Sequence, residues 1–312
     1  MLNNIVIVTP IFAMMLAGFI MGKSNLFPQG SGAARTLTIF VWYVAIPALI
    51  FKLLAGNRFP SGEEFQTVLG YYLVLYLVYF FSAMVVAPWM NINKEGRGIF
   101  AFSCSFGNLG FIGIPLIEGT LGDEGLRILL MIISLHMLTL LPITTLLTEM
   151  AKQKQASPWL VLRKALLDCL KNPVVISLFV GLSWAAMGLE LSPIAVGILE
   201  FPAGAAAPVG LFAVGLSLTR VKLRGDLTPA IVPVLLKMLL MPLGVYFLMS
   251  QVLEVSQVWV NTTTLAACMP TGLAAYSLAE QNNYGSTMAA STIFLGVLTS
   301  AFSLMIATSL LI

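Results

Sequence analysis

The sequence predicts an all-α integral membrane protein: ten transmembrane helices in two inverted sets of five, with broken, crossed fourth and ninth helices. Three observations predict it. Of 312 residues, 59% are hydrophobic and 9% charged, with a mean hydropathy of +0.96. An ordinary soluble domain carries roughly 25% charged residues. Apolar runs of about twenty residues, long enough to span a hydrocarbon core, recur along the chain. Features of the first half also reappear in the second: Pro47 and Pro208 are 161 positions apart, as are Phe51 and Phe212.

The first span, Ile5–Met21, starts in "MLNNIVIVTP", which lacks the basic region of a signal peptide and reads as a permanent helix. Leu37–Leu54, with "AIPALIF", and Val68–Ala87 follow. The fourth span, Ile99–Ile117, holds "GNLGFIGIPL", where Gly107, Gly110, Gly113 and Pro115 weaken a helix and Asn108 places a bare amide in mid-membrane. The fifth is Leu126–Leu147. Residues 151–172 join the halves, 1–150 and 173–312, and set Trp159, Leu160, Leu162, Leu166 and Leu167 among basic residues. That stretch reads either as an amphipathic helix on the membrane surface or as a solvated linker. The second half supplies Val174–Leu189, Ile198–Leu218 with "AAPVGLF", Ile231–Met249, Val258–Leu278 with "ACMPTGLAAY", and Thr287–Leu311.

Loops after odd-numbered spans hold Lys23, Arg35, Lys94, Arg97, Lys152, Lys154, Arg163, Lys164, Lys171, Arg220, Lys222 and Arg224, which are 12 of the 16 basic residues. The positive-inside rule then places both termini outside and the central loop in the cytoplasm of a cell (inner) membrane protein. A net charge of +3 gives no reason to expect nucleic acid. Cys104, Cys169 and Cys268 form neither a disulfide framework nor a zinc spacing, and no metal or cofactor is expected.

Proline inside a helix costs about 3 kcal/mol, and an unpaired peptide group in hydrocarbon several more. Breaks therefore survive only where protein or a wet cavity covers them. Gly107–Asn108 and Pro270–Thr271–Gly272, 163 residues apart, occupy equivalent places in the two halves. They point to a shared cavity near the midplane. The amides of Leu109, Gly110, Gly272 and Leu273 suit a carboxylate. Carbonyls near Phe106 and Met269 suit a cation or water, so the sign of the ligand stays open. Pro47, Pro142, Pro208, Pro233 and Pro242 read as kinks that serve packing.

"GNLGFIGIPL", "LLKMLLMP" (Leu235–Pro242) and "MPTGLAAYSLAEQNNYG" (Met269–Gly285) resemble the auxin efflux carrier family, over nearly the whole chain. The resemblance implies a fold like that of bile acid/sodium symporters. In it, a scaffold from helices 1, 2, 6 and 7 stands beside a transport domain from helices 3–5 and 8–10. Plant members carry a proline before the asparagine of the fourth-helix motif; here Gly107 stands there, while Asn108, Gly113 to Pro115 and Pro270 match. A homodimer is expected by resemblance only.

Lys237, within the eighth span, reads either as an attractor of anionic substrate or as a snorkelling lysine. His136, the single histidine, reads first as a hydrogen-bonded packing residue, with a proton relay as the alternative. No deep carboxylate appears in the spans, so coupling to protons or sodium is left open. The expected function is a secondary carrier of small organic anions, dicarboxylates or auxin-like carboxylates, working by alternating access. The alternative is a receptor that binds the same acid without moving it. An enzyme is not expected, since no catalytic pairing is visible.

Overall fold

The computed structural model describes residues 2–24, 32–152, 157–219 and 227–312. Lys154, Arg220, Lys222 and Arg224, which entered the orientation count, lie outside the described residues. The described residues are helical, with one isolated bridge and no strand. Seven helices, or eight with one bent pair counted as a span, are long and apolar enough to cross a membrane.

In chain order the helices are α1 (Leu2–Lys23), α2 (Ala33–Ala55), α3 (Gly62–Trp89) and α4 (Lys94–Ser105). Next come α5 (Leu109–Lys152), α6 (Pro158–Leu170), α7 (Pro173–Ala186) and α8 (Pro193–Leu218). The last are α9 (Thr228–Val252), α10 (Gln257–Cys268), α11 (Ala274–Gln281) and α12 (Ser286–Leu311). Polar caps start several of them. Ser61 and Glu64 form a reciprocal capping box on α3, and Asn93, Asn172 and Ser192 cap α4, α7 and α8. Gly122, at φ 61° and ψ −157°, interrupts α5 and divides it into 109–121 and 123–152. The central stretch is helical over α6, and α6 meets α7 at a bend of 67°.

The prolines read as packing kinks stand inside continuous helix. Pro47, Pro88, Pro115, Pro142 and Pro242 each follow a five-residue π-helical segment by two positions. Proline has no N–H and its ring crowds the carbonyl one turn back; a widened turn there relieves the clash and keeps the ladder running. Pro47 thus stands inside an unbroken α2, and Pro208 inside an unbroken α8. Gly113 and Pro115 likewise lie within continuous helix, so the break ends before them, at Asn108.

α1 packs on α8, and α2 on α7 and α8. Backbones meet there: a Cβ on Gly215 would overlap the Met15 carbonyl, and one on Gly18 the Phe212 carbonyl. Small residues are the usual means of such close approach within a membrane. α4, α5, α9, α10 and α12 pack among themselves. The interrupted segments sit deepest: every residue from Ile99 to Ser105 and from Trp259 to Cys268 is buried. Protein covers the places where the backbone leaves the helical ladder, as a low-dielectric surrounding requires.

Candidate site at the helix crossing

The chain leaves helix at Phe106–Asn108 and again at Met269–Leu273, and the two extended segments cross. Gly107 and Thr271 form an antiparallel bridge. Around it the Asn108 amide donates to the Pro270 carbonyl at 2.8 Å, and the Gly272 amide donates to the Phe106 carbonyl at 3.0 Å. Each break supplies what the other lost. Pro270 fits because the bridge uses its carbonyl and asks nothing of its missing N–H. The Gly272 amide and the Phe106 carbonyl, expected to hold ligands, are therefore occupied by each other.

The carbonyl ends of the leading helices are also capped. The Thr271 hydroxyl donates to the Ser103 carbonyl at 2.8 Å, at the end of α4. The Lys237 ammonium, fully buried on α9, donates to the Ala267 carbonyl at 2.6 Å, at the end of α10. Lys237 does not snorkel. A Cβ on Gly107 would lie 3.3 Å from both its Cε and Nζ, so glycine at 107 gives the lysine its room.

The amide ends of the following helices are open. Helices α5 and α11 both begin at the crossing, where their first N–H groups lack intrahelical partners. Leu109 and Gly110 on one side, and Leu273 and Ala274 on the other, line a cavity of about 500 Å³. None of their four amides has a hydrogen-bond partner among the described residues. Asn108 lines the same cavity, and its side chain makes no capping hydrogen bond to the helix it starts. Capped carbonyl ends and open amide ends give the cavity a positive wall.

Of the predicted site residues, Gly107, Asn108, Leu109, Gly110 and Gly272 line the cavity. Pro270, Thr271 and Lys237 do not; they hold the crossing from behind. Sequence reasoning missed Thr38 and Trp42 on α2, Ser277 and Gln281 on α11, and the place of His136 on the cavity wall. Trp42 stands edge-on to Phe111 with ring centroids 5.7 Å apart, and a Cβ on Gly110 would lie 3.2 Å from its ring. One signal was available: Thr38 and Trp42, like Ser277 and Gln281, are spaced i, i+4 and so share a helix face.

A family model described as "Membrane transport protein" matches residues 4–308. It is the family to which the motif resemblance pointed. Among curated proteins, one from Rhizobium meliloti named "Putative malonate transporter" is 25% identical over 304 residues, covering 94% of this chain and 91% of that protein. An uncharacterized transporter of Methanocaldococcus jannaschii is 24% identical over 281 residues, with 88% and 87% covered. Another, of Methanothermobacter thermautotrophicus, is 25% identical over 297 residues, with 95% of each chain covered.

Proposed function

The chain belongs to the membrane transport protein family, and from that premise we propose that it is a secondary carrier of small organic anions. The carrying observation is the polarity of the crossing. Thr271 and Lys237 each cap a carbonyl at the end of a leading helix, while the residues that carry four amides without a partner among the described residues line the cavity together with Asn108. Such a wall favours a carboxylate over a cation. The buried ammonium of Lys237 lies just behind Gly107 and adds long-range attraction without touching the ligand. A cavity of about 500 Å³ accommodates a small acid with room for water. The Rhizobium relative's name makes malonate the first acid to try.

In this reading the ten-span, inverted-repeat plan holds, with α1, α2, α7 and α8 as scaffold and the remaining spans as the moving part. The cavity wall carries Asn172 and Gln281, which the basic-residue count places on the cytoplasmic side. The conformation is then the inward-open one, and movement of the crossing past α2 would expose the same amides outside.

Purified protein in proteoliposomes is to be assayed for uptake of radiolabelled malonate and a panel of other carboxylates. Saturable uptake that unlabelled acid competes away is expected. Saturable binding with no flux for any acid would favour a receptor instead. Asn108→Ala removes one hydrogen bond to a charged group, about 1.5–3 kcal/mol. It should weaken malonate binding about tenfold or more and leave thermal unfolding in detergent unchanged. Unaltered affinity would remove Asn108 from the site.

A further inference from the structure

His136 lies on α5, in the cavity wall, with its ring edge-on to Phe106 of the first crossing segment and centroids 5.5 Å apart. Its Nδ1 is 2.7 Å from the Tyr72 hydroxyl and 3.2 Å from the Ile132 carbonyl. The Tyr72 hydroxyl is itself 2.6 Å from that carbonyl. A hydroxyl has one proton to donate. Given to Ile132, it leaves the Tyr72 oxygen as an acceptor. Two acceptors around Nδ1 assign the neutral ring's proton to Nδ1, and Nε2 carries the lone pair. Nε2 is buried and has no hydrogen-bond partner among the described residues, on a residue only 2% exposed. A polar atom so placed is costly to leave unmatched.

The titratable groups around it are few. α3 presents Tyr71 and Tyr72, with ring centroids 6.0 and 5.6 Å from the imidazole, and Tyr76 beyond them. α9 contributes Lys237, and α10 contributes Cys268 beside it. Across the cavity α11 presents Ser277 and Gln281, and its Glu280 is off the lining. Among the described residues no carboxylate lines the cavity. A carboxylate and an imidazole lone pair repel, and they meet favourably only with a proton between them.

We propose that, once the side chains covering it part, His136 Nε2 receives one carboxyl of the organic anion together with one proton, so that cargo and proton cross as a unit. The proton comes from water on the side where the anion enters. It is held as N–H···O between imidazole and carboxylate in the loaded cavity, and it returns to water with the anion on the other side. No bond to carbon changes. The inference rests on the organic-anion reading and deepens it.

Two measurements test it. In weakly buffered detergent solution at mildly alkaline pH, the wild-type protein should take up one proton per malonate bound, read with a pH indicator. In proteoliposomes clamped at zero membrane potential, a one-unit pH gradient, acid outside, should drive about tenfold accumulation of labelled malonate. His136→Gln should lose gradient-driven accumulation of malonate, and the malonate it still binds should bring no proton with it. Malonate binding without proton uptake by the wild type, or unchanged accumulation by His136→Gln, would overturn the inference and leave the anion reading standing. A wild-type protein that binds no carboxylate sinks both. If His136→Gln does not fold, the wild-type proton count decides alone.

Discussion

The first leading helix of the crossing, α4, runs twelve residues to Ser105, and the second, α10, runs twelve residues to Cys268. Each then gives way to a short extended stretch and a second helix. They differ in what meets the carbonyl end. α4 receives a neutral hydroxyl from Thr271 of the opposite segment, and α10 receives the ammonium of Lys237 from a neighbouring helix. The first cap ties the two segments to each other, whereas the second ties one of them to α9 and brings a basic side chain to the centre of the molecule. Similar backbone layouts at the two breaks therefore coexist with different caps. In the anion-carrier reading, this difference assigns mechanical closure and attraction for an anion to different residues.

Substitutions can separate these roles. The largest effect is expected for Lys237→Met, which keeps an unbranched side chain but removes the charge and leaves the Ala267 carbonyl unpaired. Malonate affinity should fall by at least tenfold, about 1.4 kcal/mol, in a direct binding assay. If affinity stays the same, the lysine is only a cap. Next, Thr271→Val should lower stability by about 1–3 kcal/mol, the cost of an unsatisfied buried carbonyl, with a lower unfolding temperature in detergent. Thr271→Ser should restore it, and a failure of serine to rescue would assign the loss to packing. Smallest is Pro47→Ala on α2, where the π segment already accommodates the ring. Stability should shift by less than about 1 kcal/mol, with binding unchanged; a loss of binding would mean that the π segment shapes the cavity wall through Trp42.

Much of the frame was legible in sequence. Hydropathy marked the apolar segments, and the clustering of Gly107, Asn108, Pro270 and Gly272 marked both interruptions, because local composition decides where a helix becomes costly. Other residues resisted the same logic. Gly113, Pro115, Pro47 and Pro208 carry the same propensities, yet stand in continuous helix. A π turn or a neighbouring helix absorbs their cost, and neither is written in the residue itself. Lys237 read equally well as a snorkelling side chain, because sequence gives depth along a helix but not the direction the side chain faces.

By itself the sequence determined that this chain is a bundle of membrane helices with two weak points in matching places, since burial in hydrocarbon and helix propensity act locally and along the chain. The sign of the site that we propose rests on the tertiary structure alone. Which helix ends are neutralised depends on Lys237 reaching Ala267, 30 residues away, and Thr271 reaching Ser103, 168 residues away. A dipole's effect on a ligand depends on which of its ends remains uncapped, and only folding brings those caps into place.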